Sequence, residues 1–262
     1  MLPIVYKLAR YQNTPGVTHF AAIRRVMEYL NTNCYRKLTF GKQGIKDETP
    51  NHLASDALVI FFTDTSHGDC PITKRSTEGY CVFLFGSLLL IRSFRLSCTT
   101  TSTTQSEYYM MSAAAAESIY LMELYNNTLL PVINRALQVN MKRVQKVPIK
   151  ALKLSEELIS TLNLKRFPLI SELNPTPLYG DNSSAIHNAR NGSGKNSRRS
   201  MIHASWLWDL VHKRKIITTR KVHTKCNPSD ICTKQEVERC FFEFHTRVLL
   251  GEVDLVKVDI SN

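Results

Sequence analysis

Four acidic residues occupy positions where predicted strands or helices begin or end. Asp64 closes an apolar run, Glu107 lies in the first turn of a long helical pattern, Asp181 follows a second short strand, and Asp230 opens the last helix. Because sites in open α/β sheets gather at the ends of strands, we expect the four carboxylates to converge. Hard oxygen ligands of this kind suit two Mg²⁺ or Mn²⁺ ions, a pair that can clamp both reacting oxygens of a phosphodiester.

Each of these acids also has a purely structural interpretation. Thr104 and Glu107 have capping-box spacing, so Glu107 would only cap its helix. Asp230 would stabilise a helix N-terminus through the helix dipole, and Asp64 and Asp181 are ordinary acids for the start of a loop. Taken together, their placement at the expected ends of the expected elements favours a shared site.

The elements that must position these acids alternate between strands and helices. Residues 57–64 predict a buried central strand, and residues 80–94 predict a hairpin around Gly86 and Ser87. Further elements follow as a helix at 105–125, a strand at 177–181, helices at 183–190 and 200–212, a strand at 216–222 and a helix at 228–250. This order predicts an α/β fold, a mixed sheet with helices on its faces.

The predicted domain organisation has a main domain at residues 57–250 with an insertion at 126–175 that is rich in proline and basic residues. Residues 7–30 have helical spacing, and residues 1–40 are interpreted as a helical extension. Residues 41–56 are polar and irregular, which indicates a linker, and residues 251–262 form a tail.

Composition excludes several classes of protein. With 43% hydrophobic and 21% charged residues, the chain can fill a core and is not disordered throughout. The N-terminus lacks the pattern of a signal peptide, and the longest apolar run, residues 79–91, is too short for a membrane span. Seven cysteines without a Cys-x-x-Cys motif oppose a zinc ribbon or disulfide framework and favour an intracellular protein.

A basic segment lies between two of the acids. The chain has a net charge of +12, and residues 183–227 hold ten Lys or Arg against one Asp. Such a strip beside an acidic metal site favours contact with nucleic-acid phosphates, although a solvated charged face or a localisation signal has the same composition. The candidate substrate-binding residues are Arg198, Arg199, Lys213 and Lys215, with Asn182 and Ser184 as candidates for 2′-hydroxyl contacts or helix caps.

The motifs around the acids resemble, in the same order, those of the ribonuclease H domain of Ty1/copia-type retrotransposon polyproteins. Phe62-Thr-Asp64 looks like the family's first catalytic Asp, and Lys74-Arg-Ser-Thr-Glu-Gly-Tyr80 resembles its entry to the second strand. Thr103-Thr-Gln-Ser-Glu-Tyr108 places Glu107 on the family's catalytic Glu. Pro175-Thr-Pro-Leu-Tyr-Gly-Asp-Asn-Ser-Ser-Ala-Ile186 and Ser229-Asp-Ile-Cys-Thr-Lys234 resemble the motifs of the third and fourth carboxylates, here Asp181 and Asp230.

The resemblance covers roughly residues 57–250 and implies a ribonuclease H-like mixed five-stranded sheet flanked by helices. It also implies two-metal hydrolysis of the RNA strand of RNA–DNA hybrids. Residues 8–38 resemble the stretch that joins the reverse transcriptase to this domain, so we expect a C-terminal fragment of a Pol polyprotein with the reverse transcriptase as its partner. The expected location is the cytoplasm, in a virus-like particle, or the nucleus.

The alternative function is a catalytically decayed relic that binds nucleic acid or serves only as a structural subdomain. Ser66 and Ile91 stand where the family commonly has Asp and Trp, and the Tyr-x-Asp-Asp motif of the polymerase does not occur in this chain. Metal-dependent cleavage of a hybrid separates the nuclease from both alternatives.

Overall fold

The structure is a computed structural model that describes residues 2–40, 59–84, 86–132, 134–135, 175–192, 201–234 and 239–252. The chain divides into two compact units, residues 1–116 with 175–262, and residues 117–174. The first unit contains every described strand. The predicted linker, and most of the predicted insertion and tail, lie outside the described residues, so the predicted domain boundaries there remain predictions.

The described strands form one mixed sheet with the order β3-β2-β1-β4-β5. β1 pairs antiparallel with β2 and parallel with β4, β2 pairs antiparallel with β3, and β4 pairs parallel with β5. The strands are β1 Val59–Ser66, β2 Thr77–Leu84, β3 Ser87–Arg95, β4 Thr176–Gly180 and β5 Ile217–Lys221.

The burial of each strand follows from its place in the sheet. The first six residues of β1 are buried, as is every residue of β4, because these central strands are covered on both faces. β3 lies at an edge, and most of its residues are half-buried or exposed. The apolar run of β1 therefore reflects its central position in the sheet, and the mixed pattern of β3 reflects its position at the edge.

The helices of the first unit lie before, between and after the strands. They are α1 Leu2–Ala9, α2 Val17–Thr32, α3 Thr103–Leu124, α4 Ser183–Asn191, α5 Met201–His212, α6 Asp230–Thr233 and α7 Arg239–Leu249, of which α3 continues into the second unit. Within the described residues, no helix is both long enough and apolar enough to cross a membrane.

One face of the sheet packs against the C-terminal helices. Phe62 stacks on Tyr179 with ring centroids 5.1 Å apart, and both are buried together with Cys232 of α6 and Val248 of α7. On the alternate positions of the same strands, Phe61 is fully buried as well, so both sheet faces are covered. The prediction of a mixed five-stranded sheet flanked by helices, with a short helical N-terminal extension, is confirmed.

The prediction of one continuous helix over residues 228–250 is wrong. α6 ends at Thr233, and the backbone of Lys234 is extended, with φ −89° and ψ 139°. Thr233 and Lys234 instead direct their polar groups at the buried carboxylate of Asp64. Helical periodicity does not report such tertiary contacts, because they join residues about 170 positions apart in the chain.

The N-terminal extension contacts the rest of the first unit at several points. The backbone N–H of Arg95 donates to the hydroxyl of Tyr6 at 3.3 Å, and Lys7 forms an ion pair with Asp69 at 3.4 Å. Beyond α2, the guanidinium of Arg36 donates to Glu243 of α7 at 2.8 Å. No residue of α2 itself is buried.

Gly79 lets α6 approach β2 closely. A Cβ at Gly79 would lie 2.3 Å from Cys232 Cβ and 3.0 Å from Thr233 Cγ2. We expect Gly79→Ala to destabilise the fold by about 1–3 kcal/mol, because overpacking forces backbone to move. The measurement is thermal unfolding, where each kcal/mol lowers Tm by roughly 2–4 °C for a chain of this size.

The matched control is Gly180→Ala in β4, where the added Cβ would meet Thr63 Oγ1 at an ordinary 3.4 Å. Equal Tm values for the two variants would show that the close approach of α6 to β2 does not constrain the fold.

Candidate functional site

Asp64 lies near the C-terminal end of β1, beside the start of the loop that follows β4. Its neighbour Thr63 donates from Oγ1 to the carbonyl of Tyr179 at 3.0 Å, which ties β1 to β4 at this end of the sheet. The Asp64 side chain is only 3% exposed. Parallel pairing of β1 with β4 brings Asp64 and Asp181 to the same edge, as the sequence predicts.

Glu107 is delivered by the first turn of α3, and it does not cap that helix. Ser102 Oγ accepts from the N–H of Gln105 at 3.2 Å and so supplies the cap. Ser106 joins a buried hydroxyl cluster with Ser76, at 3.0 Å. This cluster holds the first turn of α3 against Ser76, the residue directly before β2. The neighbouring Glu107 is therefore buried in the protein.

Three of the four predicted acids converge. Carboxylate oxygens of Asp64, Glu107 and Asp181 all lie within 4.8 Å of one another, with the first two residues buried and Asp181 half-buried. Three carboxylates at this spacing fit Mg²⁺ or Mn²⁺, which take oxygen ligands and retain several waters. The donor set therefore suits a hard divalent cation.

Asp230 lies beside this group but is not a member of it. Asn227 places it, because its buried amide donates to the carbonyl of Thr63 at 2.9 Å and its Oδ1 accepts from Ser229 Oγ at 2.6 Å. The carboxylate of Asp230 instead forms an ion pair with Lys234 Nζ at 2.8 Å.

Lys234 and Thr233 are site residues that the sequence analysis missed. Lys234 Nζ lies 3.7 Å from Asp64 Oδ1, and Thr233 Oγ1 donates to Asp64 Oδ2. Both residues belong to the motif that contains Asp230, but their spacing alone gives no sign that they contact Asp64.

Burial, together with the like charges of the neighbouring acids, raises the pKa of Asp64 and Glu107. Burial raises the pKa of Glu107 well above its usual range, and the charges of Asp64 and Asp181 add to the effect. Burial raises the pKa of Asp64 too, while the ammonium of Lys234 opposes that rise. A bound cation would oppose it further, as expected of a cation site.

The pKa values of Asp230 and Lys234 are both raised. Burial raises the pKa of Asp230 to about 7, with a further contribution from the charge of Asp64. For Lys234, burial lowers the pKa, but attraction to Asp64 and Asp230 outweighs it and the net direction is upward. Lys234 therefore remains an ammonium among these carboxylates.

Glu78 is a further acid of this region that the sequence analysis did not select. It lies in β2 opposite Thr65, is fully buried, and neither carboxyl oxygen has a hydrogen-bond partner among the described residues. Burial raises its pKa to about 8, and its charge contributes to the raised pKa of Glu107. Glu78 is therefore mostly protonated at neutral pH.

The predicted substrate-binding residues lie in different parts of the structure. Asn182 caps α4, because its Oδ1 accepts from the N–H of Ala185 at 3.0 Å, and Ser184 is exposed in the first turn of the same helix. Lys213 and Lys215 are exposed in the connection before β5. Arg198 and Arg199 lie outside the described residues.

The direction of β5 separates two groups of basic residues. Because β5 runs parallel to β4, Lys213 and Lys215 stand at the end of the sheet away from the acids, about 16 Å along a five-residue strand. Lys221 pairs with Gly180, the residue before Asp181, and is exposed at the acidic end. Lys221 lay within the predicted basic segment but was not selected.

Comparisons with known proteins give structural similarity only. No protein-family model and no curated protein matches the chain. It is similar to RNase H1 of the archaeon Halobacterium salinarum, with 11% identity, a TM-score of 0.35, and coverage of 67% of this chain and 93% of that one.

A second similar structure is the N-terminal RNase H domain of a Mycobacterium tuberculosis protein, solved as a fusion with maltose-binding protein. It has 9% identity and a TM-score of 0.37, and covers 72% of this chain and 96% of that one. The sheet order β3-β2-β1-β4-β5 and the flanking helices agree with the mixed five-stranded sheet that the sequence predicts.

Glu78 predicts a pH dependence of stability. Between its ordinary pKa of 4.5 and the folded-state value of about 8, the unfolded chain releases a proton that the folded chain retains. The contribution of Glu78 to stability is therefore complete below this window and is lost as pH rises through it. We expect Glu78→Gln to flatten the decline of Tm across the window, measured by thermal unfolding at several pH values.

The control for this experiment is Glu28→Gln, which makes the same chemical change at a side chain that is 65% exposed. If Tm of Glu78→Gln depends on pH as steeply as that of the unmodified chain, burial of a protonated Glu78 is refuted.

Proposed function

We propose that this chain is a divalent-cation-dependent nuclease that cleaves the RNA strand of RNA–DNA hybrids. The single observation that carries the proposal is the convergence of oxygens from Asp64, Glu107 and Asp181 within 4.8 Å at one end of the sheet. The order of motifs around these acids, which resembles that of a ribonuclease H domain, supports the choice of substrate.

The residues of the chain have separable tasks in this function. Asp64, Glu107 and Asp181 would hold the cation, which would supply Lewis-acid activation of a phosphodiester and of the attacking water. Thr233 and Lys234 fix the orientation of Asp64 through its two carboxylate oxygens. Asn227 holds the start of α6 against β1 and so keeps Asp230 beside the cluster.

The exposed basic residues would bind the backbone of the hybrid. Lys221 stands at the acidic end of the sheet, while Lys213 and Lys215 stand at the far end of β5. A hybrid duplex is long enough to reach both groups. Contacts to phosphate fix the register of the nucleic acid, and the acidic cluster then acts on one phosphodiester.

We propose in addition that the chain derives from a Ty1/copia-type Pol polyprotein, with residues 1–40 as the remnant of the reverse transcriptase connection. The supporting observation is the resemblance of residues 8–38 and of the successive motifs to that family. Its partner would be the reverse transcriptase, and its location the cytoplasm or the nucleus.

Asp64→Asn should reduce cleavage of an RNA–DNA hybrid to background in Mg²⁺ or Mn²⁺. An amide in place of the carboxylate removes a negative charge from the proposed cation site. Binding of the hybrid should persist, because the basic surface is intact. The measurement is cleavage of a labelled hybrid, with single-stranded RNA as the substrate control.

The variant control is Glu123→Gln on the exposed surface of α3, which should cleave like the unmodified chain. If the unmodified chain binds hybrid and cuts it with neither metal, the nuclease is refuted and the decayed nucleic-acid-binding relic replaces it. Activity unchanged in Asp64→Asn would come from a contaminating nuclease.

Lys221→Ala should weaken hybrid binding and lower the slope of log affinity against log salt by about 1, the loss expected per phosphate contact. The pair Lys213→Ala and Lys215→Ala should act in the same direction, while cleavage at saturation changes little in either variant. Lys37→Ala, an exposed lysine outside the basic segment, is the control. Salt slopes equal to that of the control would exclude these lysines as phosphate contacts.

A further inference from the structure

The ammonium of Lys234 lies inside the acidic site. Its Nζ is 2.8 Å from Asp230 Oδ1 and 3.7 Å from Asp64 Oδ1, and the side chain is 33% exposed. The extended backbone at Lys234, directly after α6, turns the side chain back toward Asp230 four residues earlier. A single positive charge thus bridges the two carboxylates.

Of the four predicted acids, these two would offer the ligands for a second divalent cation, because Glu107 and Asp181 belong to the three-carboxylate group. Asp64 is the acid shared between the three-carboxylate group and Asp230, which lies outside that group. Lys234 contacts Oδ1 of Asp64, and Thr233 donates to Oδ2. A divalent cation between Asp64 and Asp230 would therefore compete with an ammonium already held by both.

The alternative is that Lys234 leaves when a second metal arrives. The side chain is two-thirds buried, and its departure would break both ion pairs. Repulsion between like charges also opposes a metal ion entering while the ammonium remains. The observed contacts therefore favour an ammonium that stays in place.

We propose that the site binds one divalent cation, between Asp64, Glu107 and Asp181, and that the Lys234 ammonium occupies the second cation position between Asp64 and Asp230. This inference rests on the proposed function, and it revises the expectation of two ions. Lys234 acts as a positioning residue that fixes Asp64 and Asp230 and supplies a permanent positive charge.

The test counts Mn²⁺ ions bound to the full chain. Equilibrium dialysis gives the number bound, and electron paramagnetic resonance distinguishes an isolated Mn²⁺ from a spin-coupled pair. We expect one isolated Mn²⁺ in the unmodified chain, lost in Asp181→Asn. Lys234→Met, which keeps the length and removes the charge, should bind a second Mn²⁺ with spin coupling, and Lys234→Arg should remain at one.

Lys7→Met is the matched control, because Lys7 also pairs with an Asp, Asp69 at 3.4 Å, and is only 24% exposed, but lies outside the acidic site and outside the proposed substrate-binding residues. It should bind one Mn²⁺. Two ions in the unmodified chain would overturn the proposal, as would one ion in both the unmodified chain and Lys234→Met. The unmodified chain gives a decisive count even if Lys234→Met does not fold.

The outcomes separate this inference from the proposed function. Hybrid cleavage with two bound Mn²⁺ would refute the role of Lys234 and leave the nuclease intact. Absence of any Mn²⁺ that Asp181→Asn removes would refute both. One bound Mn²⁺ without hybrid cleavage would support the Lys234 inference and refute the nuclease.

Discussion

The repulsion between carboxylates buried at one end of the sheet is the constraint on which the rest of this structure depends. Carboxylate oxygens of Asp64, Glu107 and Asp181 lie within 4.8 Å of one another, and burial raises the pKa of the first two residues. Such an arrangement is stable only with protons or cations among the acids. β1, α3 and the loop after β4 bring the three acids to this position, and Lys234 compensates part of their charge.

The β1–β4 pairing brings two of the acids together, and α6 with the residue after it supplies the groups that contact them. Parallel pairing of the two central strands brings Asp64 and Asp181 together, and Gly79 allows α6 to lie directly on β2. From that position α6 contributes an acid, a hydroxyl donor and an ammonium within five consecutive residues, Asp230 to Lys234. The close packing of a four-residue helix is therefore tied to the electrostatics of the site.

Glu78 shows that this region also accommodates an acid as a neutral carboxyl group. It has no hydrogen-bond partner among the described residues and is fully buried, so its proton is retained to a pH near 8. At Asp230 the charge of the carboxylate is instead compensated by an ion pair with Lys234. Protonation and pairing are the two ways in which a buried carboxyl group avoids an uncompensated charge.

The amino-acid sequence by itself predicted the strands, most helices and the acids at their ends, because apolar periodicity is a local property of the chain. It predicted that four acids would meet, and three of them do. Only the tertiary structure decided that Lys234 ends a helix and bridges Asp64 and Asp230, and that Lys213 lies at the far end of β5. It alone also showed that the carboxyl group of Glu78 has no hydrogen-bond partner among the residues that the structure describes. These facts depend on which atoms meet across the folded chain, and residue spacing carries no information about such distances.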